Sequence, residues 1–366
     1  LSNSPKYSEK FIEKRAKTLF TKLLMTWNAK QNKRHMPWKG EKDPYKIWLS
    51  EIILQQTRVE QGLAYYNRFI EKYPSITDLA NAKDERVFKL WEGLGYYTRC
   101  RNILTTARYI AFELGGVFPN QYEELLALKG VGPYTAAAIA SFAYNQPYAV
   151  VDGNVFRVIA RYFGIDDATD TSTGKFFFTK FSNELLPIKE PGLYNQAIMD
   201  FGATVCKPAL PLCSTCIFNQ SCAALALGKV NVLPVKTKSI QKKHRWFYYF
   251  IFHVAGKTAI IQRTNKDIWQ GLHEFYLYES SKEIKWKDAA ISNFLQAQLG
   301  IKEATVLNIS TLKKQQLTHQ QINGQFIEIK LPFIPKSLMG LEWVKQTMLK
   351  QLAFPRFITA YFEDPV

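Results

Sequence analysis

Four cysteines and two carboxylates are spaced for chemistry in this chain of 366 residues. Cys206, Cys213, Cys216 and Cys222 are separated by six, two and five residues, and Cys100 is the only other cysteine. Four thiolates gathered in this way can enclose one [4Fe–4S] cluster or one tetrahedral zinc. Structural zinc sites usually draw their ligands from two short Cys pairs. This run has one short gap and two longer ones, so the spacing leans toward iron–sulfur and leaves zinc open. Pro208 and Pro211 would keep the loop out of helix while it wraps the metal.

The carboxylates are Glu51 and Asp152. Asp152 stands in Val150-Val151-Asp152-Gly153-Asn154, just ahead of a helical run that starts at Val155. It is placed as an N-cap, and capping amides favour the ionised form. Glu51 lies in Trp48-Leu49-Ser50-Glu51-Ile52-Ile53-Leu54-Gln55-Gln56-Thr57, with apolar residues on both sides. Burial there would raise its pKa and let it hold a proton near neutrality. Gln55, four residues on, would share its helical face. A protonated acid beside an ionised carboxylate can protonate a leaving group and stabilise a cationic sugar. A plain cap and a structural glutamate remain open at this point.

A third constellation suits phosphate. Leu128-Lys129-Gly130-Val131-Gly132-Pro133-Tyr134-Thr135-Ala136 joins two helical runs. The glycines allow a turn that side chains would obstruct, and Pro133 suits the first turn of a helix. Val131 would plug the gap between the helices. Free amides at the helix start can hold a DNA phosphate, without reading sequence. The plain alternative is a helix–helix turn; Pro-Tyr-Thr-Ala-Ala-Ala after the glycines favours a helix-hairpin-helix.

The elements that must position these groups divide by period. Residues 11–227 recur at three and four, as in Phe20, Leu23, Leu24, Trp27 and Val155, Ile159, Tyr162. Gly93 and Gly95, Gly115 and Gly116, Pro187 and Pro191 break the runs. Beyond residue 244, Trp246–Val254 and Phe326–Leu331 are β-branched and aromatic and read as strands, with a helical period over Lys287–Leu299 between them. The expected order is a mainly α region over residues 1–227, a basic linker over 228–244 and a smaller α+β domain over 245–366. Between residues 228 and 246 there are six Lys/Arg and no acid, within a formal charge of +17. Such a balance points to a polyanion. No apolar run is long enough to span a membrane and no secretory signal is visible at the start. Thiolate ligands point to a reducing compartment, the cytoplasm.

Taken together, the chain closely resembles the adenine DNA glycosylases of the MutY family, within the endonuclease III-like helix-hairpin-helix superfamily. The resemblance rests on Pro44–Glu51, Leu54-Gln55-Gln56-Thr57, Gly93-Leu94-Gly95-Tyr96-Tyr97, the Gly130–Ala136 hairpin, Val151-Asp152-Gly153-Asn154 and the four cysteines. It implies a helix-hairpin-helix glycosylase fold, a [4Fe–4S] cluster on those cysteines, and hydrolytic excision of adenine paired with 8-oxoguanine or G in duplex DNA by a monomer. By the same resemblance Glu51 protonates adenine N7 and Asp152 stabilises the oxocarbenium-like sugar. Tyr134 and Asn154 position them. Gln55 wedges the duplex beside Gln56 and Thr57, and Gly130, Val131 and Gly132 contact the backbone. Gln262-Arg263-Thr264, Trp269–Phe275 and Leu317-Thr318-His319 resemble stretches of the family's Nudix-like, 8-oxoguanine-recognising domain. The last of these is Phe-Ser-His in well-known members, a departure that touches the detailed contacts. No catalytic Nudix box is present.

Two other functions compete. Lyase relatives that cut pyrimidines carry a lysine where this chain has Tyr134, so Schiff-base strand cleavage is disfavoured. A catalytically silent binder of damaged DNA is opposed by Glu51 and Asp152.

Overall fold

The helical period at Phe20, Leu24 and Trp27 buries those residues on one face of the Lys14–Lys30 helix. The computed structural model describes residues 13–237 and 242–364; residues 238–241, inside the expected basic linker, lie outside the described residues. Contacts group the chain into two compact units. One comprises Leu1–Val59, Tyr73–Thr77 and Thr105–Lys238; the other comprises Glu60–Lys72, Asp78–Leu104 and Ser239–Val366.

The first unit is helical. Its core gathers Phe20, Trp27, Ile159, Phe178 and Phe201 around Phe218, a residue of the cysteine loop. Phe218 stacks on Phe20 at 5.0 Å and meets Phe201 edge-on at 4.8 Å. Burial of each such ring is worth about 1.5–3 kcal/mol, so the loop that carries the cysteines is held by the core itself. The Pro44–Leu54 helix starts on Asp43, which accepts from the Tyr45 amide at 2.9 Å, with Pro44 in the first turn. Tyr45 and every residue from Ile47 to Ile53 are buried, so the helix is enclosed all round and takes Glu51 inside with it.

In the second unit, an eight-stranded mixed sheet contains β1 (Lys243–Val254), β2 (Lys257–Gln262), β3 (His273–Glu274), β4 (Tyr276–Ser280), β5 (Thr305–Ile309), β6 (Lys313–Gln316), β7 (Gln320–Lys330) and β8 (Glu342–Lys345). The central order is β3-β2-β1-β7-β5, with β4 on β1, β6 on β7 and β8 on β2. β1 and β7 run parallel from Lys243↔Gln320 to His253↔Lys330. Alternation along β1 sends Tyr248 and Phe250 toward Trp286, and Phe247 and Tyr249 toward Trp269 and Phe357. Gly324 is needed where β7 crosses Phe247, because a Cβ there would lie 2.2 Å from the Phe247 carbonyl oxygen.

The helix Asp84–Trp91 belongs with this sheet. Glu92 Oε1 accepts from the Phe354 amide at 2.9 Å, and Lys89 Nζ donates to the Leu352 carbonyl at 3.0 Å. Gly271, at φ +89°, packs against the Phe88 ring. Among the described residues no helix is long and apolar enough to cross a membrane.

Candidate active site

Glu51 sits in the last turn of the Pro44–Leu54 helix and is only 7% exposed. Desolvation pushes its pKa up to about 7; the negative charge of Asp152 adds to the rise, and a hydrogen bond from the Tyr134 hydroxyl opposes it. Tyr134 is half-buried beside both carboxylates; desolvation of its hydroxyl and their charge drive its pKa far up, so it remains a neutral phenol. It comes from the first turn of the Pro133–Phe142 helix, immediately after the glycine hairpin. The hairpin thus delivers Tyr134 to the two carboxylates.

Asp152 caps the Gly153–Phe163 helix. Its Oδ1 accepts from the amides of Asn154 and Val155, both at 2.8 Å, and its Oδ2 from Asn154 Nδ2 at 2.6 Å. The capping geometry follows the sequence expectation, but the electrostatic outcome differs. Burial raises the Asp152 pKa by more than these donors and Arg157 lower it. Glu51 is raised to about 7, whereas Asp152 keeps three donors that favour its charged form against the burial that raises it.

Two further readings require correction. The helix bearing Glu51 ends at Leu54: Gln55 has ψ 116° and Gln56 turns left-handed at φ 56°. Gln55 therefore does not continue the helical face of Glu51; its Nε2 donates to Thr135 Oγ1 at 3.2 Å, while Gln56 is exposed and Thr57 half-buried. In the hairpin, Gly130 takes φ +79°, whereas Gly132 has φ −99°, which any residue adopts. Val131 is 7% exposed and fills the turn as expected. Lys129 is exposed, with its carbonyl accepting from Thr106 Oγ1 at 2.8 Å.

The four cysteines line one apolar cavity with Tyr162, Phe201 and Phe218. Burial pushes Cys216 up to about 11 and raises Cys206 and Cys222 as well. Donors already face the sulfurs: Arg161 Nη1 lies 3.5 Å from Cys206 Sγ, and the Phe218 amide 3.4 Å from Cys216 Sγ. Among the described residues no three Cys, His, Asp or Glu groups converge on the point a single ion would occupy. Four cysteines on one apolar cavity form a ligand set for a metal centre.

Sequence reading missed Arg157. This arginine donates through Nη2 to Asn154 Oδ1 and Gly202 O, both at 2.7 Å, and through Nε to the Cys206 carbonyl at 2.7 Å. It joins the Asp152–Asn154 pair to the start of the cysteine loop. Its position three residues after Asn154, among buried apolar neighbours, was the available signal. Another missed carboxylate, Asp200, is fully buried and held by Arg34, Lys39, Asn32 and Gln196 at 2.9–3.0 Å. With that many donors it fixes the 32–39 loop.

In the second unit, Leu317, Thr318 and His319 form the tip between β6 and β7, closed by the Leu317 amide donating to the Gln320 carbonyl at 2.8 Å. Thr318 and His319 are exposed. The Thr318 hydroxyl meets that of Tyr96, which follows Gly95 at φ +48°. The tip borders a cavity of about 500 Å³ shared with Gly93–Thr98 and Trp269.

Two family models match the chain. The HhH-GPD superfamily of base excision DNA repair proteins matches residues 49–180, and the NUDIX domain family matches residues 247–364. An adenine DNA glycosylase of Buchnera aphidicola subsp. Acyrthosiphon pisum is 31% identical over 325 residues, covering 87% of this chain and 88% of that protein. One from Mus musculus is 42% identical over 230 residues, covering 59% of this chain and 44% of that protein. The solved structure of a thermostable thymine-DNA glycosylase superposes with a TM-score of 0.54 at 28% identity, covering 58% of this chain and 98% of that one.

Proposed function

This chain belongs to the adenine DNA glycosylase family, and from that premise we propose that it hydrolyses the N-glycosidic bond of adenine opposite 8-oxoguanine or G in duplex DNA. The observation that carries the reading is the grouping of buried Glu51 with half-buried Tyr134 and Asp152, Glu51 being raised to about 7. A flipped adenine needs a proton on the base and negative charge near the sugar as the bond breaks. Glu51 supplies the proton, to N7 by resemblance to the family. The glycosidic electrons leave with adenine. Asp152 faces the developing oxocarbenium-like sugar, with Asn154 holding its carboxylate. Water then adds to the sugar, and an abasic site remains. Tyr134 keeps Glu51 oriented and stays neutral. A phenol at this position cannot form the Schiff base of a lyase, which supports base release without strand cleavage.

Cys206, Cys213, Cys216 and Cys222 would hold a [4Fe–4S] cluster. When bound, the cluster would cross-link the loop between the Pro191–Thr204 helix and the Ala223–Ala226 turn into a fixed surface. Arg161 and the Phe218 amide favour the thiolate form of the ligands. Leu317, Thr318 and His319 would read the base opposite adenine. Gln55, Gln56, Thr57 and the Gly130–Gly132 turn would hold the duplex.

The test is single-turnover excision on duplexes with A opposite 8-oxoguanine, A opposite G, and oxidised pyrimidines. Release of adenine with an intact strand is expected. Prompt strand cleavage on the pyrimidine duplex, without adenine release, overturns the reading.

A further inference from the structure

We propose that Arg245 is a positioning residue that sets the Leu317–His319 tip for discrimination of the opposing base; this rests on the reading that the tip contacts 8-oxoguanine. Arg245 lies near the start of β1, 8% exposed, and spends all five of its N–H donors. Nε and Nη2 grip Glu279 at 2.7 Å each, and Nη1 and Nη2 grip Asp267 at 2.9 and 2.7 Å. The fifth donor, on Nη1, goes to Gln320 Oε1 at 3.1 Å. Phe247 packs its ring 4.7 Å from the guanidinium carbon.

Gln320 is the residue that closes the tip. Its carbonyl accepts from the Leu317 amide at 2.8 Å and from Gln316 Nε2 at 3.0 Å, and the neighbouring His319 carbonyl accepts from the Lys243 amide at 3.0 Å. Arg245 therefore ties the turn, through one side chain, to carboxylates on two other segments. Asp267 is held from a second side by Arg263 Nη2 at 3.1 Å. A saturated, planar guanidinium fixes its partners in angle as well as distance, which an ammonium cannot do. Two of the tip's three residues are exposed, and its own side chains are held from outside β6 and β7 by the Thr318 contact to Tyr96, so the Arg245–Gln320 bond adds a second, independent anchor.

The experiment measures single-turnover rates and dissociation constants on A·8-oxoguanine and A·G duplexes for Arg245→Lys, Gln320→Met, the double variant and Leu317→Ala/Thr318→Ala. The expected result is a preference for 8-oxoguanine that falls about tenfold in Gln320→Met and at least as far in Arg245→Lys, the scale of one hydrogen bond to a charged group. A·G excision stays near the wild-type rate in both. Gln320→Met has no further effect in the Arg245→Lys background, because both remove one contact. A merely structural arginine would instead give additive losses and lower both duplexes equally, and that result overturns the proposal. Should Arg245→Lys fail to fold, Gln320→Met with undiminished preference overturns it alone. If Leu317→Ala/Thr318→Ala keeps the wild-type preference, the tip is no reader and both inferences fall. If that variant loses the preference while Gln320→Met keeps it, only the role of Arg245 falls.

Discussion

Glu51 shows how one side chain acquires its chemistry from burial. An ordinary glutamate is ionised at neutrality, whereas this one titrates at about 7 because water is excluded from it and Asp152 lies near. The acid must hold its proton to act, so excision should be full below about pH 7 and fall about tenfold per pH unit above it. A flat single-turnover profile between pH 6 and 9 would remove Glu51 from the proton step. Glu51→Gln should lower excision by roughly 10²–10⁴-fold while retaining lesion binding. The same shift has a stability consequence of definite sign. The folded carboxyl keeps its proton up to about 7 while the unfolded one releases it near 4.5. Stability is therefore undiminished below 4.5 and falls as pH rises through that window, by on the order of 3 kcal/mol. Glu51→Gln should raise the urea midpoint at pH 8 and change it little at pH 4, and an equal change at both would contradict the burial cost.

At the scale of elements, the hairpin and the cysteine loop make separable predictions. Gly130 sits at φ +79°, so Gly130→Ala should cost about 1 kcal/mol of stability as well as weakening DNA binding. Gly132 has φ −99° and open space where a Cβ would go. Gly132→Ala should therefore fold as well as wild type, and weaken all duplexes alike if a phosphate approaches that backbone. Unchanged binding in Gly132→Ala would place the phosphate elsewhere. For the loop, purified protein should contain about four iron atoms and absorb in the visible, as a cubane on four cysteines requires. One zinc and no iron would defeat that. Chelation or Cys213→Ser should loosen the loop and lower DNA affinity before it alters the chemistry at Glu51.

For the molecule as a whole, the formal charge of +17 predicts affinity that falls steeply with salt, with a log–log slope of about −0.9 for each phosphate neutralised. A flat response would make the charge irrelevant to DNA. The grouping of residues 78–104 with the sheet also governs how lesion reading should be tested. Deleting residues 245–366 would strip the Asp84–Trp91 helix of the Phe354 amide, the Leu352 carbonyl and Gly271. A truncated chain would lose preference for 8-oxoguanine through that damage as well as through the missing tip. Thr318→Ala, which removes one hydroxyl and its contact to Tyr96 but leaves the Asp84–Trp91 helix on the sheet, should lower the preference by no more than about 1–3 kcal/mol and is the cleaner measurement.

Much of this was legible along the chain because local spacing carries it. The helical period at Val155, Ile159 and Tyr162, the strand character of Trp246–Val254, the cap at Asp152 and the clustered cysteines all depend on neighbours within a turn or two. Even the burial of Glu51 could be read from the apolar residues flanking it. Other features depend on residues far apart in sequence. The left-handed turn at Gln56 ends the helix before Gln55, although the run of residues invites continuation. The net upward shift at Asp152 sets burial by the whole core against three local donors, and no motif reports that balance. Arg157 reaches Cys206 across 49 positions, and Arg245 reaches Gln320 across 75. Desolvation and the closing of a guanidinium's donors are properties of packed volume, and a linear pattern carries distance along the chain but not enclosure.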